Sequence, residues 1–383
     1  MMNQIEVDEE LINAAATLTR EVLIPNAARI DNERAFPQSS FDAMRGSPLL
    51  SAWLPRAAGG RGTNHSTFVR MMEHIGGGCG STGLCFLMHS TASAILGVAA
   101  KEGALDRFLQ AIVEDGKLAT LAQSEGANGS NFFIPSIQIE ESQGGYVLNG
   151  EKRFVSSGGH ADFYLLLARS SDPNAGMDML IVERESPGVS FCGEWDGMGM
   201  KGNSSIDMKL DNARIPRENL VGGVGQGMSL LFGINASVFI VGNAALNIGI
   251  AQRALDVAVE HAKSRTHPQA GGSIGNHQII RYYIAQMYCA VNAARAHLHR
   301  AACDQDLGVE DALISLMASK VLGNDVAIRA TDLAMQVCGG LGYRSDMPIE
   351  RLYRDARAGA VMGPTSELLR DWIGKSLLEM PLV

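Results

Sequence analysis

The 383-residue sequence predicts an α+β protein built from three successive regions, which are helical, then β, then helical. This prediction rests on the spacing of apolar residues, which changes from a helical period to alternation and then back. Apolar residues make up 46% of the chain and charged residues 19%, a composition that favours a packed core over disorder. The formal net charge of −9 argues against a general nucleic-acid or anionic-membrane binder, because such surfaces are basic.

Residues 1–118 are predicted to form the first, helical domain. Apolar residues recur there at helical spacing: Leu11, Ala14, Ala15, Leu18 and Val22. Two glycine-rich segments, 54–62 and 75–83, are predicted to be turns or close contacts between helices. The acidic N-terminus does not resemble an export signal, and the six cysteines are scattered without a C-x-x-C pair. We therefore expect a cytoplasmic protein with reduced thiols.

Residues 119–224 are predicted to form a β domain. Apolar and charged residues alternate along 206–211, and short apolar strands are expected at 163–168 and 179–182. Asn149-Gly150 separates two short apolar runs. Because these two residue types readily adopt positive φ, the pair is predicted to be the tight turn of a β-hairpin.

Residues 225–383 are predicted to form a helical bundle domain. One stripe at helical spacing contains Leu313, Leu316, Met317, Lys320 and Val321. Gly339-Gly340 is predicted to end a helix. Residues 219–252 carry no charge and are long enough to span a bilayer, but they also contain several asparagines and glycines. We interpret this stretch as a helix packed on all sides in the bundle, with a membrane span as the alternative.

Several common site motifs are absent from the sequence. The Gly222–Gly227 run lacks the G-x-G-x-x-G spacing and does not lie between a strand and a helix of a βαβ unit. The sequence contains neither H-E-x-x-H nor G-x-S-x-G, and its nine histidines are not spaced as metal ligands. We therefore predict no Rossmann fold, no metal site and no serine hydrolase triad.

A set of ordered segments resembles one known family. The segments are Leu54-Pro55 with Gly59–Gly62, Ser124–Asn131, Tyr146–Gly158, Ile215-Pro216 with Asn219-Leu220, Gly249–Asp256, His277-Gln278, Gln336–Tyr343, Arg354–Ala356 and Thr365–Glu367. Each is weak alone, but in this order over nearly the whole chain they resemble the motifs of the acyl-CoA dehydrogenase superfamily.

The resemblance implies a helical N-terminal domain, a middle β-barrel domain and a C-terminal four-helix bundle in a homotetramer or dimer with non-covalent FAD. It also implies cofactor roles for particular residues. Within one subunit, Gln123 and Ser124 would meet the pyrimidine ring, Gly129 and Ser130 the pyrophosphate, Phe154 the flavin and Ser156 its N5, with Thr365 and Glu367 along the cofactor. From a neighbouring subunit, Arg265, Gln336 and Gly340 would hold the ADP half.

The sequence departs from this family at the catalytic base. Most members remove the substrate α-proton with a glutamate, and Gly363 occupies the matching position here. Other members carry Glu-Arg on the first bundle helix, where this chain has Phe239 and Ile240. Together with Met362, these two residues predict a substrate pocket that is more apolar than is usual in the family.

Without either glutamate, the leading hypothesis is a flavin-dependent oxygenase that uses C4a-peroxide-type chemistry with O₂ on an apolar or CoA-thioester substrate. Its catalytic positions would be His89 as a donor, Ser156 and Gly363. The alternative is an acyl-CoA dehydrogenase with a displaced base, and a third hypothesis is a catalytically silent flavoprotein that binds a partner. A flavin reductase or electron-transfer partner would exchange electrons with the first two.

Overall fold

Helices occupy both ends of the chain and strands its middle in the computed structural model, which describes residues 5–100, 103, 105–126, 129, 131, 133–268 and 271–382. The first region contains α1 Glu9–Leu18, α2 Ile24–Glu33, α3 Gln38–Met44, α4 His65–Gly78, α5 Gly80–Ala99 and α6 Asp106–Asp115. A π-helical turn, Thr19–Leu23, joins α1 to α2. Side-chain caps start α1 and α4, because Asp8 accepts from the backbone N–H of Leu11 and Asn64 from that of Thr67.

The middle region forms two sheets. Its strands are β1 Ala119–Ala122, β2 Ile139–Ser142, β3 Gly145–Val155, β4 Phe163–Arg169, β5 Met177–Glu183, β6 Val189–Cys192 and β7 Ile206–Pro216. One sheet has the order β1-β4-β5 with β1 and β4 parallel, and the other is antiparallel with the order β2-β3-β7-β6. An isolated bridge between Gln138 and Arg169 connects the two sheets.

The predicted hairpin turn at Asn149-Gly150 is wrong. β3 runs straight through both residues, and the register with β7 shifts between Leu148 and Gly150, which marks a β-bulge. Gly150 has φ +141°, so the positive φ that suggested a turn belongs to the bulge. The actual hairpin joins β2 to β3 through residues 143–144.

The third region begins with α7 Gly227–Leu230 and a π-helical segment, Leu231–Asn235, that continues directly into the next helix. The remaining helices are α8 Ala236–Ser264, α9 Gln278–Asp306, α10 Ala312–Gly342, α11 Pro348–Val361 and α12 Ser366–Leu377. Two short strands, β8 Thr266–His267 and β9 Gly272–Ser273, pair after α8. Gly339 departs from helical geometry inside α10, so the predicted helix end at Gly339-Gly340 is a break within this helix.

α8 lies at the centre of the molecule, where it packs against α4, α9, α10 and α11. Its crossing with α4 is close: a Cβ on Gly249 would lie 2.2 Å from the Glu73 carbonyl oxygen, and one on Gly76 would lie 2.5 Å from that of Leu246. Any side chain at these positions would push the helices apart. The close helix contact predicted for segment 75–83 is therefore confirmed.

Two helical stretches in the described part of the chain are long and apolar enough to cross a membrane: Gly80–Ala99 and Gly227–Ser264. Their most apolar windows are 78% and 72% buried inside the protein. Helices that are surrounded by other helices expose little apolar surface to a lipid phase. The charge-free stretch is accordingly a buried core helix, as we interpret it from the sequence.

Candidate active site

A cavity of about 710 Å³ lies where the three regions meet. Its walls come from α5, the loop after β1, the end of β3, residues 195–205, the π-helical segment with α8, and residues 354–365. The apolar part of the wall includes Leu84, Met88, Leu121, Leu231, Trp195 and Trp372. The three residues predicted to form the substrate pocket, Phe239, Ile240 and Met362, also line this cavity.

A buried ion pair fixes the loop after β1. The Lys152 ammonium donates to Glu125 Oε1 at 2.7 Å, and the two side chains are 0% and 3% exposed. The same ammonium donates to the carbonyl oxygens of Leu167 at 2.7 Å and Gln123 at 3.3 Å. Burial disfavours the charge on Glu125, but Lys152 overcomes it and holds the pKa of that carboxyl below its usual value. Gln123 and Glu125 are therefore anchored at the cavity edge.

Polar groups of this loop and of the β3 end face the cavity without full partners. Gln123 lines it, and its Nε2 is buried without a hydrogen-bond partner among the described residues. Ser156 also lines it, 6% exposed, with its Oγ 2.9 Å from the Oγ of Ser205. A buried amide donor without a partner costs free energy unless a ligand satisfies it. These groups fit the polar edge of an isoalloxazine ring, which needs such partners.

Phe154 has an unusual backbone at the end of β3. Its φ is +55°, and its ring is 63% exposed although the residue lines the cavity. A bulky residue with positive φ is strained, and such strain clusters at ligand sites. Phe154 therefore lies at the cavity wall with a strained backbone, and its contact with the flavin stays a prediction.

The other predicted contacts within one subunit are placed differently. Ser124 and Gly129 line the cavity, whereas Ser130 lies outside the described residues. Thr365 lines it too, and its Oγ1 caps α12 by accepting from the Leu368 N–H at 3.3 Å. Glu367 is exposed and is not part of the cavity wall, so its predicted contact along the cofactor is not supported within this subunit.

Three predicted cofactor residues, Arg265, Gln336 and Gly340, are exposed and lie outside the cavity wall. The sequence assigns them to the cofactor of a neighbouring subunit, and the single chain leaves that assignment a prediction. Their exposure keeps them accessible to another subunit.

The prediction that His89 is a catalytic donor is wrong for this structure. His89 is 1% exposed, and its Nδ1 accepts from the Ala119 N–H at 3.1 Å while its Nε2 lies 2.8 Å from the Leu50 carbonyl oxygen. Both ring nitrogens thus bind backbone, which ties α5 to β1. Burial lowers the pKa of His89 to about 4, so the ring is neutral and serves a structural role.

The segment 362–366, which we call the strap, closes the wall at the C-terminal side. Gly363 lines the cavity, and its neighbours present their carbonyl oxygens to α10. The Lys320 ammonium donates to the Met362 oxygen at 3.0 Å and to the Pro364 oxygen at 2.6 Å. Lys320 is 0% exposed, and burial lowers its pKa to about 7.

Free carboxylates are missing from the cavity wall in the described part of the chain. Glu125 is the one acidic residue there, and its oxygens are bound by Lys152 and Ser136. Phe239 and Gly363 do stand at the wall. The positions at which the family resemblance places a base therefore face the cavity without one.

Sequence reasoning missed several functional groups. Lys320 had a signal, because it is a charged residue inside an apolar helical stripe, and such a position predicts a buried ammonium. Lys152 follows Tyr146 and Leu148 on the buried face of β3 at a spacing of two, but the hairpin interpretation hid this relation. Arg357 and the 5% exposed Asn235 carried no sequence signal, and only the fold brings them to the wall.

An apolar cavity with an unpartnered amide at Gln123 among the described residues, set between helical and β regions, fits a flavin-dependent oxidoreductase. Models of the acyl-CoA dehydrogenase N-terminal, middle and C-terminal domains match residues 6–115, 120–213 and 241–378. The chain belongs to the acyl-CoA dehydrogenase family.

Individual relatives span nearly the whole chain. It is 31% identical to cyclohex-1-ene-1-carbonyl-CoA dehydrogenase of Geobacter metallireducens, over 94% of both chains. It is 29% identical to human mitochondrial short-chain specific acyl-CoA dehydrogenase, covering 97% of this chain and 90% of the relative. The structure of butyryl-CoA dehydrogenase from Megasphaera elsdenii superposes with a TM-score of 0.91 at 25% identity, covering 99% of this chain and 100% of the other.

These findings support the predicted fold and FAD as the cofactor. The residues predicted to contact it that line the cavity are Gln123, Ser124, Gly129, Phe154, Ser156 and Thr365. The relatives named above are dehydrogenases, and none is an oxygenase. The oxygenase hypothesis therefore receives no specific support from them.

Proposed function

We propose that this chain is an FAD-dependent oxidoreductase that removes two hydrogens from an apolar acyl thioester, between its α and β carbons. The observation that carries the proposal is the cavity itself, which combines an apolar wall with a flavin-binding edge at Gln123 and Ser156. The kinship with acyl-CoA dehydrogenases favours this reaction over oxygenation.

The chain's own residues would bind and orient the substrate and exclude water from it. Phe239, Ile240 and Met362 exclude water from the acyl group, and Ser156 supplies a hydroxyl at the cofactor edge. Bound FAD would accept the hydride from the β-carbon. Arg357 is exposed at the wall and has no ion-pair partner among the described residues, so it can attract the anionic part of a thioester carrier.

The proton acceptor is the open element of this reaction. Because Phe239 and Gly363 cannot ionise, a base must act from another position, or the substrate must carry an unusually acidic proton. The same absence favours a second candidate function, oxidation of the substrate with dioxygen, which requires a dry cavity rather than a strong base.

We propose a homo-oligomer in the cytoplasm, with domain boundaries near residues 118 and 224. In it, Arg265, Gln336 and Gly340 would reach the cofactor of an adjacent subunit. Electrons would leave through a flavoprotein partner if the enzyme is a dehydrogenase, or enter through a reductase if it is an oxygenase.

Anaerobic mixing with acyl-CoA substrates separates the two candidates. For a dehydrogenase, butyryl-CoA, octanoyl-CoA or a cyclic acyl-CoA should bleach the flavin absorbance near 450 nm and yield an enoyl thioester. No bleaching by any acyl thioester, together with incorporation of labelled oxygen by the reduced enzyme, would replace the dehydrogenase proposal with the oxygenase.

The role of position 363 can be tested with Gly363→Glu and a matched Gly363→Gln. A general base typically contributes about 10²–10⁴-fold, so the carboxylate should accelerate bleaching by an acyl-CoA while the amide does not. Pro364 constrains the new side chain, so Gly363→Glu/Pro364→Gly should accompany them. Equal rates for the Glu and Gln variants in both backgrounds would show that this position does not face the reacting carbon.

A further inference from the structure

Lys320 is the most unusual charged group near the cavity. It lies on α10, it is 0% exposed, and its ammonium is bound by two strap carbonyls rather than by a carboxylate. Its nitrogen also lies 5.5 Å from the centroid of the Phe239 ring. A buried ammonium without an acidic partner is costly, because carbonyl dipoles compensate less of its lost hydration than an anion would.

The Lys320 ammonium contacts three residues of the cavity wall. Met362, Pro364 and Phe239 all line the cavity, and Gly363 lies between the two carbonyl groups that Lys320 binds. The ammonium therefore lies one layer of residues behind the wall, beside both positions where the family resemblance expects a glutamate.

A second side chain of α10 holds the same strap one helical turn later. Asn324 Nδ2 donates to Ser366 Oγ at 3.1 Å. Residues four apart share one face of a helix, so Lys320 and Asn324 present two donors side by side. α10 therefore holds the strap through two side chains, the charged Lys320 and the neutral Asn324.

We propose that Lys320 is a positioning residue that fixes the strap and sets the electrostatic potential of the cavity, so that the site favours an anionic reacting group. With the function proposed above, on which this inference rests, that group is the enolate of the thioester or the anionic reduced form of the cofactor. A fixed positive charge in a poorly hydrated site stabilises developing negative charge without reorganisation.

The reduction potential of bound FAD measures this effect without a substrate. The potential should be determined at pH 6, where Lys320 carries its proton, for the wild type and for Lys320→Met and Lys320→Arg. Loss of the charge should shift the potential to a lower value, because the reduced anionic flavin loses stabilisation. Lys320→Arg retains the charge and should retain a potential close to that of the wild type.

Two control variants separate charge from packing. Arg20→Met removes an exposed positive charge on the π-helical turn between α1 and α2, outside the cavity wall, and should leave the potential unchanged. Asn324→Ala loosens the strap without altering charge and should also leave it unchanged. If Lys320→Met does not fold, Lys320→Gln keeps a hydrogen-bond donor while removing the charge, and the same lower potential is expected.

The outcomes distinguish this inference from the proposed function. A wild-type chain that does not bind FAD would overturn both. FAD binding with equal potentials for the wild type and the neutral Lys320 variants would overturn the role of Lys320 alone. A shift in Lys320→Arg or Asn324→Ala as large as that in Lys320→Met would show that strap geometry, rather than charge, sets the potential, and would also overturn it.

Discussion

Two lysines without exposed surface each hold one border of the cavity, and they differ in how their charge is compensated. Lys152 binds the loop after β1 and is paired with Glu125, whereas the partners of Lys320 among the described residues are two carbonyl oxygens of the strap. The first arrangement is a neutral unit that fixes geometry. The second fixes geometry and also leaves net positive charge near the cavity.

Under the proposed function, this contrast would give one cavity an anchored cofactor edge and a polarised substrate wall. Gln123 needs a defined backbone at the cavity edge, and the ion pair of Lys152 with Glu125 anchors it without a long-range field. The strap contains Gly363, one of the two positions where the family resemblance expects a glutamate, and Lys320 lies beside the other, Phe239. We therefore propose that the Lys152 border fixes shape and that the Lys320 border also sets the electrostatic potential.

The largest expected effect comes from breaking the compensated pair. Lys152→Met leaves the Glu125 carboxylate buried without its cation, which should lower the free energy of unfolding by about 3–5 kcal/mol. Urea unfolding followed by circular dichroism would measure it, and FAD affinity should fall because the loop loses its anchor. Lys152→Met/Glu125→Gln should recover part of the loss. A single variant within about 1 kcal/mol of wild type would contradict the structural role of the pair.

The buried charge of Lys320 should make the free energy of unfolding depend on pH. The pKa of Lys320 is lowered from 10.5 to about 7 in the folded protein, so between these values the unfolded chain binds more protons. The penalty for the buried charge is complete below pH 7 and fades as the pH rises towards 10.5.

Relative to Lys320→Met, the wild type should therefore gain about 3 kcal/mol of stability between pH 7 and 9.5. Parallel urea titrations at the two pH values measure this difference, in which the titration of other groups cancels. A constant difference would mean that the Lys320 side chain keeps an ordinary pKa.

His89 is a buried neutral base, and it should make the free energy of unfolding depend on pH in the acidic range. The pKa of His89 is lowered from 6.5 to about 4 by burial, so the stability that this group contributes is lost as the pH falls from 6.5 towards 4. His89→Gln does not titrate, but it can still reach backbone groups. As the pH falls from 6.5 to 4.5, the free energy of unfolding of His89→Gln should rise by about 2 kcal/mol relative to that of the wild type. FAD binding should be retained.

The comparison also shows which features a sequence can predict. The three regions and the apolar pocket residues follow from periodicity and from motif order, which depend on local sequence. Lys320 was visible as a charge in an apolar stripe, but its partners on the strap are 42 and 44 residues away and could not be read from spacing. Asn149-Gly150 was misinterpreted because a bulge and a tight turn can both contain a glycine with positive φ, and only strand pairing distinguishes them.

The smallest expected effect belongs to Asn324, the neutral partner of Lys320 on α10. Asn324→Ala removes one hydrogen bond to Ser366, worth about 0.5–1.5 kcal/mol. The same change removes an Oδ1 that is buried without a partner among the described residues, and it replaces asparagine with a better helix former. These gains offset most of the loss, so the free energy of unfolding should fall by no more than about 1 kcal/mol and should not depend on pH. Urea unfolding at pH 6.5 and 9.5 tests both expectations. A loss comparable to that of Lys152→Met, or one that varies with pH, would indicate that Asn324 and Lys320 hold the strap as one coupled unit, in which a neutral donor controls how well the buried charge is tolerated.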